Sequence, residues 1–409
     1  MSDPGYRDRL GSVGGKRRGF TSGTAAAAAA RAAAAHLLTG DDSPAVTVTL
    51  PAGRKEHSGV GLTIPVARYL REGEWAHAAV VKDAGDDDDV THGAEICAMA
   101  RFRDVPADGG DGAIIIRGGE GVGTVTRPGL AVPPGRSAIN PVPKRMILRE
   151  VGEVLDVARG GDARQGDARQ AAGKALEIVI YVPGGKELAE RTWNPRLGIT
   201  GGISIIGTSG VVEPKSAEAF RASVSAVIRS IRKNGNDTLI ITPGYVGERY
   251  LFETAGIPAE RVATVGDHIG WSFHEGARRG FRRFVLAGHI GKLTKAAAGI
   301  FDTHWSSGDA RLETVAAWAA HEGADTATVR RLLSLKLAEE AVPILEEEGL
   351  GSVFSLIARR CVERLTADLK RSRPGEESRI GCILLDLEAR VLAAEGLEKG
   401  LEKGFWKKG

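Results

Sequence analysis

Residues 238–247 read TLIITPGYVG, residues 261–268 read RVATVGDH and residues 283–292 read RFVLAGHIGK. Each is a short run rich in apolar and β-branched residues that breaks at glycine, and helix-like stretches at 216–233 and 247–256 lie among them. Strands that alternate with helices predict a parallel sheet with helices on both faces. Working outward, LEIVIYV (176–182) and GISIIG (202–207) read as earlier strands of the same region, and CILLDLE (382–388) as a last one. Residues 311–371 read as mainly helical, with ETVAAWAAHEG and SVFSLIARRCVERLTADL as amphipathic segments. Residues 171–390 are therefore expected to form a C-terminal Rossmann-like α/β domain with a mainly parallel sheet.

The N-terminal part has another texture. TSGTAAAAAARAAAAHLLTG (21–40) predicts a helix from Ala25 to Leu38, with Thr24 as N-cap and Gly40 as the stop. VTVTL (46–50), WAHAAVV (75–81) and IIIR (114–117) read as strands without regular intervening helices. This gives an α+β domain over residues 1–160. GDARQGDARQ (161–170) is a direct polar duplication, read as a solvated insertion, and residues 391–409 read as a charged tail.

Composition excludes several classes. The 409 residues carry a net charge of +3 and only 5% aromatics, with no basic stripe, so nucleic acid is not an expected partner. The longest apolar run, Thr24 to Leu38, is mostly alanine and contains Arg31, which does not predict a membrane span. The first twenty residues hold five Lys or Arg and no apolar core, unlike a signal peptide. Three cysteines far apart form no CxxC pair, so neither a zinc site nor a disulfide framework is expected, and the compartment expected is the cytoplasm.

Ligands of open α/β sheets bind at the carboxyl ends of strands. Those ends here carry Gly207-Thr208-Ser209-Gly210, Pro243-Gly244-Tyr245, Gly266-Asp267-His268 and the run from Gly288 through His289 to Lys292. Four glycine-bearing loops from successive strands predict a cleft, against the plainer reading of each as an ordinary turn. GGEGVG (118–123) matches a phosphate loop only loosely, and is read through Gly119 and Gly121 as a loop that permits close ligand approach. FDTHWSSGDAR (301–311) offers serine, histidine and aspartate, but without a GxSxG elbow serine hydrolysis is not expected. KDAGDDDDVTH (82–92) lacks the ligand spacing of an EF-hand loop; such a charge run is commonly a solvated face. The following VTHGAE is read as leading into a helix capped by Asp89 or Thr91.

Six strings in order, GFTSGTAAAAA (19–29), VKDAGDDDDVTHGAEI (81–96), GGEGVGTVTRPGL (118–130), AINPVPKRMI (138–147), TWNPRLGITGGISIIGTSGVVEP (192–214) and GHIGKLTKAAAGIFDTH (288–304), resemble the cobalt-precorrin-5B (C1)-methyltransferase family, CbiD, over roughly residues 19–360. The resemblance implies methyl transfer from S-adenosylmethionine to ring carbon C1 of cobalt-precorrin-5B, giving cobalt-precorrin-6A in anaerobic cobalamin biosynthesis. Cobalt would belong to the substrate, with no protein-bound metal. A small-molecule tetrapyrrole is the implied partner, and homo-oligomerisation is left open. The chain departs from the family's usual residues at Ala25 (Cys), Asp88 (Pro) and Asp267 (Asn), and PGYVG stands for PGNYG.

In that frame the polyanionic substrate calls for cations and donors, read as Thr21, Ser22, Thr24, Lys82, Arg127, Lys144, Arg145 and Lys292. The sulfonium donor favours nearby carboxylates. Asp83, Asp86 and Asp87 are therefore expected to face the methyl-transfer site, and Asp88 water. His92 and then His289 are the candidates for a general base or for orienting the macrocycle, together with Asp83 and Asp87 as catalytic residues. Asp86, Gly119, Gly121, Gly207, Thr208, Ser209, Gly210, Gly244 and Asp267 are read as binding the donor. The rival readings are a non-catalytic corrinoid-binding protein and a metal-dependent hydrolase using the aspartates.

Overall fold

The computed structural model describes residues 6–51, 57–104, 114–160, 174–214 and 217–397. The chain divides into two compact units, Met1–Ala217 and Glu218–Gly409. The duplication at 161–170 and the tail beyond residue 397 lie outside the described residues.

In the first unit the alanine-rich segment forms helix α1, Ser22–Thr39. An antiparallel hairpin of β1 (Ala45–Thr49) and β2 (Gly61–Pro65) follows. Then come β3 (Arg68–Glu72), β4 (Trp75–Val81), β5 (Glu95–Asp104), β6 (Ile114–Gly118), helix α2 (Pro141–Gly160) and β7 (Lys174–Tyr181). The five strands pair in the order β3-β4-β5-β7-β6, antiparallel except for β7 with β6. Side chains alternate across the pleat, and Ala76, Ala78, Val80, Ile96, Ala98, Ala100, Ile178 and Ile180 share one buried cluster with α1. Ala25–Ala30 and Ala32–Ala34 are fully buried, so α1 is an interior helix. Alanine on the helix meeting alanine on the strands lets the two backbones come close, which larger residues would prevent. The one break, Arg31, reaches Glu150 and Glu153 of α2 at 2.8 Å each.

Two expectations change here, and one stretch for which no element is expected acquires one. Residues 95–104 are a strand and not a helix: EICAMARFRD alternates between the buried face and a face where Arg101, Arg103 and Arg117 surround the buried Glu177. INPVPKRM opens a 20-residue helix, because its prolines fall in the first turn, where no intrahelical acceptor waits for an N–H. Residues 174–181 and 202–203 belong to the first unit, which therefore extends well past residue 160. β7 lies between β5 and β6, held by eight residues of antiparallel register with β5, and Gly202–Ile203 pairs with Gly121–Val122.

The second unit starts from helix α3 (Ala217–Lys233), β8 (Thr238–Thr242), β9 (Val262–Thr264), α4 (Ile269–Arg278), β10 (Arg283–His289) and α5 (Ile290–Ala298). Helices over 311–321, 326–333, 341–347 and 352–372 precede β11 (Arg379–Leu385) and β12 (Val391–Glu395). The sheet order is β9-β8-β10-β11-β12, parallel except for β12. Residues 391–395 thus form an edge strand rather than part of a tail. The first, second and third strands of this sheet lie in the order second-first-third, so the chain leaves β8 and β10 toward opposite sides. The fold is mixed α/β, with one largely antiparallel and one largely parallel sheet.

Candidate functional site

The acidic stretch faces the protein's own cations first. Asp83 is 8% exposed, and Arg17 forks onto both its oxygens, with Nη2 at 3.0 Å from Oδ1. The Tyr6 hydroxyl donates to Oδ2 at 2.8 Å, and the Gly85 N–H to Oδ1 at 2.8 Å. Burial opposes the charge, but the Arg17, Gly85 and Tyr6 hydrogen bonds outweigh it and hold the carboxyl at about 2. Lys82 is 2% exposed and its ammonium meets Asp89 at 2.6 Å. Burial again opposes ionisation of Asp89, while Lys82 and Thr91 favour it and carry its pKa below the ordinary value. Asp86 is exposed and accepts from the Arg17 N–H at 2.7 Å. Asp87 is half-buried and Asp88 exposed. Lys82 and Asp83, expected to meet ligands, are therefore engaged inside the unit.

Strand-like pairing explains why. The Phe20 N–H donates to the Asp83 carbonyl at 2.8 Å, and the Asp86 N–H to the Arg17 carbonyl at 2.9 Å. Gly19 sits so close that a Cβ there would lie 2.2 Å from the Ala84 carbonyl carbon. His92 is exposed, and its Nδ1 accepts from the Ala84 N–H at 3.0 Å. The neutral ring then carries its proton on Nε2, which makes its outward edge a donor and not a base.

The helix opening is equally occupied. Thr21 caps α1 through Thr24 N–H, three residues earlier than expected. Thr24, fully buried, donates its hydroxyl to the Gly210 carbonyl at 2.7 Å, and Ser22 accepts from the Ile206 N–H at 3.0 Å. These hydroxyls fasten the 204–210 loop to α1. A Cβ on Gly207 would fall 2.2 Å from Thr21 Oγ1. Ser209 bonds to the Val211 carbonyl at 3.0 Å, and Thr208 is exposed. The loop 207–210 thus belongs to the first unit and is not a strand end of the parallel sheet. Gly119 and Gly121 are likewise filled: Cβ atoms there would lie 2.9 Å from Val179 Cγ1 and 1.9 Å from the Val182 carbonyl oxygen. Arg127 packs beside Gly198, and Lys144 and Arg145 are exposed at the start of α2.

In the second unit the three remaining loops do converge. Lys292 Nζ lies 3.1 Å from Asp267 Oδ1 and 3.3 Å from the Pro243 carbonyl oxygen, which joins the ends of β8, β9 and β10. Thr303 donates its hydroxyl to Asp267 Oδ1 at 2.9 Å and its N–H to the Asp267 carbonyl at 2.9 Å. Burial raises the Asp267 pKa, Thr303 and Lys292 lower it, and the net shift is downward. Gly244 lies in open space, with nothing within 4 Å of a Cβ. His289 caps α5 through Nδ1 and Gly291 N–H at 3.2 Å; burial lowers its pKa, and its Nε2 is buried without a partner. It is a neutral donor in this setting, not a poised base.

Sequence reading missed Tyr6, Arg17 and Thr303, which organise Asp83 and Asp267. Arg17 stands just before GFTSGT, and Thr303 lies inside the quoted FDTH; neither residue type marks a site by itself. Among the described residues no group of three or more His, Cys, Asp or Glu side chains is placed to hold a metal ion, and no helix is long and apolar enough to cross a membrane.

Known proteins match over most of the chain. The CbiD family model matches residues 11–214, and the model of the CbiD C-terminal domain matches 302–396. A cobalt-precorrin-5B C(1)-methyltransferase from Moorella thermoacetica is 40% identical over 391 residues, 95% of this chain and 98% of its own. The enzyme of the same name from Thermoanaerobacter sp. is 41% identical, covering 82% and 84%, and that from Photorhabdus laumondii 39%, covering 90% and 91%. A crystal structure of the cobalamin biosynthesis protein CbiD from Archaeoglobus fulgidus is 27% identical over 73% of this chain and 84% of that one, with a TM-score of 0.36. With 40% identity over 95% of the chain to one relative and both family models falling in order, this chain belongs to the CbiD family.

Proposed function

We propose that the protein methylates ring carbon C1 of cobalt-precorrin-5B, with S-adenosylmethionine as donor, in cobalamin biosynthesis. The observation that carries this reading is the 40% identity over 95% of the chain with a relative named for that reaction. The donor supplies the methyl group on a sulfonium sulfur. Transfer is an in-line displacement, in which the C–S bond breaks as the bond to C1 forms and S-adenosylhomocysteine leaves. The protein's tasks are alignment and exclusion of water. Arg127, Lys144 and Arg145 remain the cations proposed for the substrate carboxylates, whereas Lys292 is paired with Asp267. His92 is proposed as a hydrogen-bond donor that orients the substrate, since its Nδ1 is already taken. The second unit's strand order supports a Rossmann-like reading of that unit. Hydrolysis by a metal held in the acidic run gains little support, because Asp83 and Asp89 are paired with Arg17 and Lys82.

The test is incubation of purified protein with cobalt-precorrin-5B and S-adenosylmethionine. A corrinoid product heavier by one methyl-for-hydrogen exchange, with one S-adenosylhomocysteine per product, is expected. Tetrapyrrole binding without turnover would favour the corrinoid-binding alternative.

A further inference from the structure

Glycine-rich loops occur in both units, but they differ in what fills them. Those at 119–121 and 207–210 are pressed against the protein's own backbone or side chains. The loop after β8 is open at Gly244, while Gly247 is tight: a Cβ there would lie 2.0 Å from Thr242 Oγ1 and 2.6 Å from the Ala287 carbonyl oxygen. Gly247 therefore lets the following helical turn close on β8 and β10, and Gly244 leaves room beside the backbone. Gly288 is also tight, with Pro243 at 2.9 Å, so the ends of β8 and β10 abut. An open glycine, a packing glycine and an acidic residue at the end of the next strand, about 20 residues on, form the arrangement by which nucleotide-binding sheets take a ribose at the point where strand order reverses. Asp267 follows β9, 23 positions after Gly244 (267 − 244), and is 30% exposed. Its Oδ1 receives Thr303 and Lys292, which fix the carboxylate, while Oδ2 takes part in neither bond. Tyr245, 70% exposed at the start of the following helical turn, carries Arg249 over its ring at 5.9 Å from the centroid and offers the ring's remaining surface for stacking on a base.

Resting on the methyl-donor reading above, we propose that the carboxyl ends of β8, β9 and β10 hold the nucleoside half of the donor, with Asp267 Oδ2 accepting from the ribose hydroxyls and the Gly244 loop lying along the adenosyl group. Asp267 is then a ligand-binding residue, and Lys292 and Thr303 position it.

Calorimetric titration with S-adenosylhomocysteine and with its 2′-deoxy analogue tests the assignment without turnover, with tetrapyrrole present and absent. The wild-type protein should bind the deoxy analogue at least ~10-fold more weakly, as expected for loss of a hydrogen bond to a charged group. Asp267→Ala should bind S-adenosylhomocysteine at least ~10-fold more weakly than wild type and no longer distinguish the two ligands. The ligand comparison on the wild type stands even if the variant folds poorly. Equal wild-type affinity for both ligands, or undiminished affinity in Asp267→Ala, overturns the site and leaves the methyltransferase reading in place. A wild-type protein that binds no S-adenosylhomocysteine under either condition overturns both.

Discussion

Replacing Asp83 by Asn removes a charge but almost no volume, so it isolates what the carboxylate contributes. A carboxyl held at about 2 against an ordinary 3.8 is worth about 2 kcal/mol at neutral pH, at ~1.36 kcal/mol per pH unit. The amide also mismatches at least one of the donors from Arg17, Tyr6 and Gly85, so the total loss is about 2–4 kcal/mol. For a unit of this size that lowers the melting temperature by roughly 5–12 °C. The sign with pH follows from a depressed pKa: the stabilisation is complete above the unfolded value of 3.8 and is lost as pH falls through about 2. The charge part of the gap between wild type and Asp83→Asn should therefore shrink to about half by pH 3 and close further below it, whatever the other carboxylates do, because they titrate in both proteins. Scanning calorimetry of both proteins between pH 7 and pH 3 measures this. A gap below ~0.5 kcal/mol at neutral pH, or one unchanged at pH 3, would refute the claim that Asp83 is an internal anchor.

The buried Lys82–Asp89 pair behaves differently: Asp89→Ala should cost about 3 kcal/mol because it strands a buried ammonium, and Lys82→Met/Asp89→Asn should be more stable than Asp89→Ala, both read by chemical unfolding. Gly121→Ala should cost about 3 kcal/mol or fail to fold, since φ is +69° and the methyl would meet the Val182 carbonyl, whereas Gly244→Ala should melt within a degree or two of wild type. Thr24→Val should cost about 1 kcal/mol by removing the buried hydroxyl's bond to the Gly210 carbonyl, which keeps the Thr21 N–H as its donor, and thermal unfolding checks it.

What the sequence made legible follows from how strongly a pattern is forced. Strands buried on both faces announce themselves as apolar runs, and the runs at 238–242 and 283–288 fall on β8 and β10. A strand with one wet face depends on alternation, and in 95–104 the presence of Glu95, Ala98, Met99, Ala100, Arg101 and Arg103, all good helix formers, blurs it. Tertiary pairing with β4 and β7 decides it. α2 carries no such signal at its start, because its two prolines are tolerated in a helix only in the first turn. Propensity alone predicts a helix for the alanine run, but its burial shows that small size, for close approach to the sheet, is what the position demands. The candidate donor residues Gly244 and Asp267 could be picked out as strand-end residues; that Gly207–Gly210 belong elsewhere could not, because one short run, GISIIG, looks the same in either sheet.

The opening and closing of glycine loops separates motif residues that build from those that remain available. In the first unit, GFTSGT, VKDAGDD, GGEGVG and the 202–212 loop are all rich in glycine, hydroxyl and charge, the composition usually read as ligand contact. Their glycines admit the protein's own backbone, their hydroxyls tie loop to helix, and Asp83 and the nearby Asp89 pair with the half-buried Arg17 and the buried Lys82. Such positions tolerate little change for reasons of assembly alone, since each substitution introduces a clash or an unmatched buried group. At the ends of β8 and β9, by contrast, Gly244 meets empty space, Asp267 keeps one oxygen outside its internal bonds, and Tyr245 presents its ring to solvent. Motif composition is the same in both places. At these strand ends the glycine loop leaves hydrogen-bonding capacity and room unspent, which is the physical requirement for holding a ligand without first breaking the fold.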